Sequence, residues 1–331
     1  MPFMNCWRSF PLIVALFCGA IAHAVTCTTQ SQLTDAQRTA YEQAIRGLAA
    51  EIQSGNVAAV KAEAIPSVAA QFDSIAGAIQ AVSPTIQGAV LTIQSIFSLR
   101  ATDLKSAQDT QFFCSVPGSQ LLINISIPQL PPSDYAFTVV HATGIKQPQQ
   151  ISMILENEPE GSSQWKLAGL FVRPLSAAGH DGVWYWTQAR AYANKRQSWN
   201  AYFYYQTAAY LLSPVDFISS PNLDKLQKEM SGVRPDGLPG AEPMKIVANG
   251  QAFDITNMHT DGSLGGLDLV VNYKTNDVSD PVATRSRNID VMKALLAQHA
   301  EIREAFHGLW VYADAEGQRP FAIELPMNQI Q

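Results

Sequence analysis

The spacing of apolar residues switches from helical to strand-like near residue 89, and that change restricts the fold more than any motif does. Before it, Tyr41, Ile45, Leu48 and Ile52 recur every three or four residues, the spacing that lines one face of a helix. Thr34-Asp35-Ala36-Gln37 forms a capping box ahead of them, and Ser54-Gly55-Asn56 ends the run. A second helical stretch is expected over about 57–80, interrupted where Pro66 removes a backbone donor. After the change, runs rich in β-branched and aromatic residues fall at 90–102, 111–116, 121–127, 135–142, 150–156 and 165–172. Turn signals separate them, among them Pro117-Gly118, Pro131-Pro132-Ser133-Asp134 and Glu160-Gly161-Ser162. Helices followed by consecutive strands define an α+β class, with the helices packed on one side of a curved antiparallel sheet.

The first 24 residues carry the three parts of a secretory leader: Arg8, an apolar run over 10–21, and Ala22-His23-Ala24. A cut between Ala24 and Val25 is expected, and the run is shorter than the ~20 residues a membrane-spanning helix needs. The processed chain is therefore expected in a periplasm or outside the cell, with no integral membrane segment. Processing removes Cys6 and Cys18 and leaves Cys27 and Cys114. Two cysteines of one domain in an oxidising compartment usually pair, and no basic neighbour activates Cys114 as a nucleophile. A Cys27–Cys114 disulfide is expected. Lys and Arg number 22 against 28 Asp and Glu, a net charge of −6 that gives no general attraction to nucleic acid.

Two segments carry a family resemblance. Ser54-Gly55-Asn56-Val57-Ala58-Ala59-Val60, inside the helical region 49–70, and the strand Gln164-Trp165-Lys166-Leu167-Ala168-Gly169-Leu170-Phe171 resemble the start and the closing strand of nuclear transport factor 2-like domains. That resemblance implies a curved sheet wrapped around a helix to leave an apolar pocket, which serves as an enzyme site in some members and as a binding or dimer surface in others. On that side of the chain His141 alternates with valines on a strand, with no partner carboxylate in sequence.

Gly179-His180-Asp181-Gly182 is a tight turn leading into an aromatic helical hairpin. Tyr185, Ala189, Tyr192, Ala201, Tyr205 and Ala208 are spaced as in one tetratricopeptide repeat, which that hairpin resembles, although Gln188 replaces a leucine and no second copy follows. A single repeat cannot bury its own faces, so its aromatics are expected mainly in the core and between domains. A Pro/Gly-rich linker then precedes strands near 244–247, 252–258 and 267–273, a helix through 289–306, and strands near 309–313 and 321–325. That βββαββ order predicts a helix on one face of an antiparallel sheet. The expected division is leader 1–24, α+β domain 25–178, hairpin 179–231, linker 232–243 and α+β domain 244–331.

The string from His259 to Asp268 holds a His, two Asp and a Ser, but it is neither a nucleophile elbow nor a calcium hand, and it reads as a glycine-rich turn between strands. His299 and His307 lack a second ligand one helical turn away. No catalytic residue, metal or cofactor is expected. The expected function is an exported, non-enzymatic binding or scaffold protein for a protein, peptide or small hydrophobic ligand, with Trp184, Trp186, Trp199 and Tyr202 as candidate contacts. The alternative is a hydrolase or lyase working in a nuclear transport factor 2-like pocket, drawing on His141, His259 and Asp261.

Overall fold

The computed structural model describes residues 25–158 and 164–331; the expected leader, with Ala24, and the turn at Glu160-Gly161-Ser162 lie outside them. Helix α1 (Asp35–Ser54) starts at Thr34, whose hydroxyl accepts the Gln37 N–H while Gln37 Oε1 accepts the Thr34 N–H at 3.1 Å. It stops at Gly55 in the left-handed conformation, φ 74°. The expected second helix is three: α2 (Val57–Ala62), α3 (Pro66–Ala69) and α4 (Asp73–Ile86). Pro66 sits at the start of α3, where a missing N–H costs nothing. Gln53 Nε2 donates to the carbonyls of Ile86 and Ala89 at 2.9 and 2.8 Å, satisfying the end of α4 from its neighbour.

The strands of this region are β1 (Thr26–Thr29), β2 (Val90–Arg100), β3 (Gln108–Ser115), β4 (Leu122–Leu130), β5 (Asp134–Thr143), β6 (Gln149–Asn157) and β7 (Trp165–Pro174). A five-stranded antiparallel sheet runs in the order β1-β2-β5-β6-β7. Alternation along β5 sorts its two faces. Ala136, Val140 and Ala142 pack with Ile45, Ile52, Ile79 and Ile86 of the helices. Tyr135, Phe137 and Val139 pack with Phe112 and Ile125 of the β3–β4 hairpin, which covers the opposite face. The Cys27–Cys114 disulfide, with Cα atoms 5.1 Å apart, joins β1 at the sheet edge to β3 in the covering hairpin.

A short ribbon of β8 (Ser176–Ala177) and β9 (His180–Asp181) follows, turned by Ala178 and Gly179 at φ 47° and 81°. Asp181 then caps α5 (Gly182–Asn194), its Oδ1 accepting the Trp184 N–H at 2.8 Å, and α6 (Ser198–Leu212) packs antiparallel to α5. A Cβ on Gly182 would lie 2.6 Å from Leu212 Cγ, so this glycine permits the approach of the two helices. After α6 the chain crosses to the first sheet system. Arg173 Nη1 donates to the Ser213 carbonyl at 2.9 Å, Phe217 packs edge-on to Phe137 and Phe171, and β10 (Ile218–Ser219) pairs with β4. Helix α7 (Pro221–Gly232) returns to the hairpin.

The remaining elements are β11 (Met244–Ala248), β12 (Gln251–Asp261), β13 (Asp268–Thr275), α8 (Pro281–Gln298), α9 (Ile302–Ala305), β14 (Gly308–Ala315) and β15 (Phe321–Pro326). The βββαββ order is as expected, and the five strands lie side by side in sequence order. The all-antiparallel expectation is corrected at one place: β13 and β14 run parallel. The helices between them carry the chain back to the same end of the sheet, the connection a parallel pair requires. Asn288 on α8 fastens this layer. It accepts the Tyr273 hydroxyl at 2.9 Å and donates to the Val311 carbonyl at 2.8 Å, entirely buried. The α5–α6 hairpin and this sheet share one apolar core, which holds Tyr185, Phe203 and Tyr204 together with Leu269, Val291 and Phe306. Among the described residues no helix is long and apolar enough to cross a membrane.

Candidate functional site

Four parts of the molecule converge around one cleft of about 1020 Å³. The first sheet contributes Lys146, Gln147, Gln149 and Pro174, at the β5–β6 turn and the end of β7. The β8–β9 turn contributes Ser176 to Gly179, and the second half of α6 contributes Gln206, Thr207, Tyr210 and Leu211. The connection from β12 to β13 closes the fourth side with His259 to Leu267, Gly266 excepted. Contact between these parts is close. A Cβ on Gly262 would lie 2.9 Å from the Ala178 backbone nitrogen, so the connection touches the β8–β9 turn where it has no side chain. Thr207 and Thr260 hydroxyls meet at 2.7 Å between α6 and β12.

The lining is nearly neutral. Among the described residues that form it, Lys146 is the one lysine or arginine and Asp261 the one carboxylate. Asp261 is already engaged, since its Oδ1 accepts both the N–H and the hydroxyl of Ser263. Desolvation pulls the His259 pKa down, opposed by the nearby Asp261 charge, and Asn257 Nδ2 lies 3.3 Å from its Nδ1. Most of the polar side chains in the lining are amides and hydroxyls, among them Gln147, Gln149, Ser176, Gln206, Thr260 and Ser263. Gln206 Oε1 is buried and accepts no hydrogen bond from the described residues. At the rim the Tyr210 ring is 49% exposed, with the Arg173 guanidinium 5.1 Å from its centre.

A second polar cluster lies just beyond the cleft, at one end of the C-terminal sheet. Asp268 opens β13, His307 precedes β14, and Glu324 stands on β15 opposite Trp310. Parallel pairing of β13 with β14 and antiparallel return of β15 bring these three positions together. The His307 backbone is held on both sides, its N–H by the Leu267 carbonyl at 2.8 Å and its carbonyl by the Met327 N–H at 2.9 Å. His307 Nδ1 lies 3.0 Å from Asp268 Oδ1. Burial raises the pKa of Asp268, partly offset by His307, and burial also raises that of Glu324, with the Asp268 charge adding to it.

The structure separates the residues that the sequence offered for catalysis. His141 is on β5, on the face turned away from the helices, and burial alone lowers its pKa with no carboxylate contributing. His259 and Asp261 belong to the other sheet. The aromatic candidates are occupied within the chain. Trp184 stacks on His180 with ring centres 3.7 Å apart, and Trp186 Nε1 donates to Glu229 Oε2 at 2.8 Å. The Tyr202 hydroxyl accepts from Arg234 Nη1 at 3.0 Å. Trp199 is 5% exposed and packed on His299. Glu301 explains its position, since its Oε1 accepts the Trp199 N–H at 2.8 Å and caps the free start of α6.

Glu324, Gln206 and Tyr210 were missed by sequence reasoning, because each sits in an ordinary strand or helix pattern and acquires its setting only through packing. No protein-family model matches the chain, and neither the curated proteins nor the solved structures contain a match.

Proposed function

We propose that this is an exported, non-enzymatic binding protein that holds a small neutral, hydroxyl-rich ligand, of the saccharide type, in the cleft between its two sheet systems. The observation that carries this reading is Gln206, a residue of the cleft lining whose amide oxygen is buried with no hydrogen-bond partner among the described residues. An unmet acceptor of that kind costs free energy unless a ligand or water donates to it. The near-neutral lining of amides and hydroxyls, with a half-exposed tyrosine ring at its rim, is the chemistry that orients a neutral polyhydroxylated molecule. The hydrolase or lyase alternative would rest on His259 and Asp261, which line the cleft, since His141 stands on the other sheet; Asp261 is already engaged by Ser263. Export rests on the leader pattern and accords with the Cys27–Cys114 bond.

The helices packed on one face of the sheet and the closing strand β7 support a nuclear transport factor 2-like reading of the N-terminal unit, although its helix-facing side is filled by Ile45, Ile52, Ile79 and Ile86. The buried Tyr185, Ala189, Ala201, Tyr205 and Ala208 support a tetratricopeptide-like reading of α5–α6.

Calorimetric titration of the processed protein with neutral di- to tetrasaccharides tests the function. At least one is expected to bind with one-to-one stoichiometry, and Gln206→Ala is expected to weaken it tenfold or more. A panel without a binder, or a binder indifferent to both Gln206→Ala and Tyr210→Ala, refutes the cleft as its site.

A further inference from the structure

The Asp268–His307–Glu324 cluster poses a problem the cleft does not answer. Asp268 is 0% exposed, and only one of its oxygens is matched: Oδ1 by His307, while Oδ2 is buried with no partner. Glu324 Oε1 is likewise buried and unpartnered. Two carboxylates brought together out of water repel each other and lose hydration, an arrangement that needs a compensating positive charge. Arginine or lysine is the usual answer, but among the described residues neither forms an ion pair with Asp268 or Glu324. His307 stands beside them, with the Gly308 backbone N–H also favouring the Asp268 carboxylate.

The backbone around the cluster is shaped to keep space there. A Cβ on Gly308 would fall 2.5 Å from Glu324 Oε1 and 3.0 Å from Asp268 Oδ1. A Cβ on Gly266 would fall 2.4 Å from His307 Cβ and displace the imidazole. Neither glycine has a positive φ, so backbone conformation does not demand them; the close approach of the three side chains does.

We propose that Asp268, His307 and Glu324 bind a divalent first-row transition cation, zinc being the best fit. One donor atom from each of the three lies within 4.8 Å of the other two. Zinc bonds of about 2.0–2.1 Å place neighbouring ligand atoms about 3.3 Å apart in a tetrahedron, so closing this triangle needs only small side-chain movements. The cation would take the unpartnered carboxylate oxygens and replace the His307–Asp268 hydrogen bond. A nitrogen donor among two carboxylates favours a transition metal over magnesium or calcium, and a calcium site would want about six to eight oxygens. The His307 side chain is 48% exposed, so the site opens to solvent on that side and leaves a fourth position for water. None of the three residues lines the cleft, so this proposal and the ligand reading succeed or fail separately.

Zinc chloride titrated into the full chain, freed of metal by a chelator, tests it. One zinc per chain is expected, with a raised melting temperature, and calcium should bind at least tenfold more weakly. His307→Ala, a change at a half-exposed side chain, should keep the circular dichroism spectrum and weaken zinc at least tenfold; Glu324→Gln should do the same if it folds. No stoichiometric zinc binding by the native chain overturns the site. Zinc binding by His307→Ala equal to that of the native chain also overturns it, and tighter binding of calcium than zinc overturns the metal class.

Discussion

Replacing both Cys27 and Cys114 by alanine should cost the N-terminal unit a large share of its margin of stability. The bond closes a loop across a sequence separation of 87 residues, for which chain entropy gives about 4.6 kcal/mol at 25 °C. Alanine avoids burying an unpartnered hydroxyl at position 114, where the native sulfur is wholly buried, so little further loss is expected from packing. Domains are typically stable by only about 5–15 kcal/mol. The loss should also have a location. β1 is a four-residue edge strand that pairs only with β2, and the bond is what ties it to the hairpin covering the other face. Urea unfolding followed by circular dichroism should show the first transition of the double variant lowered by about 4–5 kcal/mol. Hydrogen exchange should show the β1 amides losing protection ahead of those of β5 and β6. A loss under about 1 kcal/mol with β1 protection unchanged would refute the reasoning, because the strand would then be held by its pairing alone.

Three further outcomes follow from the packing. Glu229 accepts two bonds from Arg190, at 2.7 and 2.8 Å, and one from Trp186, and hydrogen bonding to Arg190 leads in holding its pKa down at about 2. A carboxyl depressed in the folded state stabilises above its unfolded pKa and loses that effect as pH falls. Glu229→Gln should therefore cost about 1–2 kcal/mol at pH 7, after allowance for solvent screening, and flatten the loss of stability between about pH 5 and 2 in acid titrations. Asn288→Ala strands the Tyr273 hydroxyl and the Val311 carbonyl in the core and should cost about 2–4 kcal/mol by denaturant unfolding. Gly182→Ala forces a Cβ against Leu212 and should destabilise the hairpin by about 1–3 kcal/mol, read as a lower melting temperature.

The fold was legible where one physical signal dominated. Strands β2 to β7 announced themselves through β-branched and aromatic runs cut by turn residues, and α1 through its capping box and terminal glycine. What escaped depended on partners distant in sequence. β1 is four residues whose only strand signature is its register against β2, and α7 is amphipathic but carries its start signal in Ser220 and Pro221 alone. The parallel β13–β14 pair follows from the path of α8 and α9, which spacing does not reveal.

The polar cluster was the least visible part of the molecule. Asp268 was legible only as the last residue of a turn, His307 as a histidine without a neighbour at helical spacing, and Glu324 as an outward position in an alternating strand. Strand register alone makes them one group. Many of the hairpin aromatics pack for the same reason in reverse: a lone helical pair must bury them somewhere, and here the C-terminal sheet receives Tyr185, Phe203 and Tyr204.

Native mass spectrometry of the protein isolated from its own compartment, beside Gln206→Ala prepared identically, tests the binding cleft most directly. One neutral, polyhydroxylated adduct per chain is expected on the native protein, reduced or lost in the variant. A bare native chain, or an adduct that Gln206→Ala retains in full, would contradict a ligand held in the cleft.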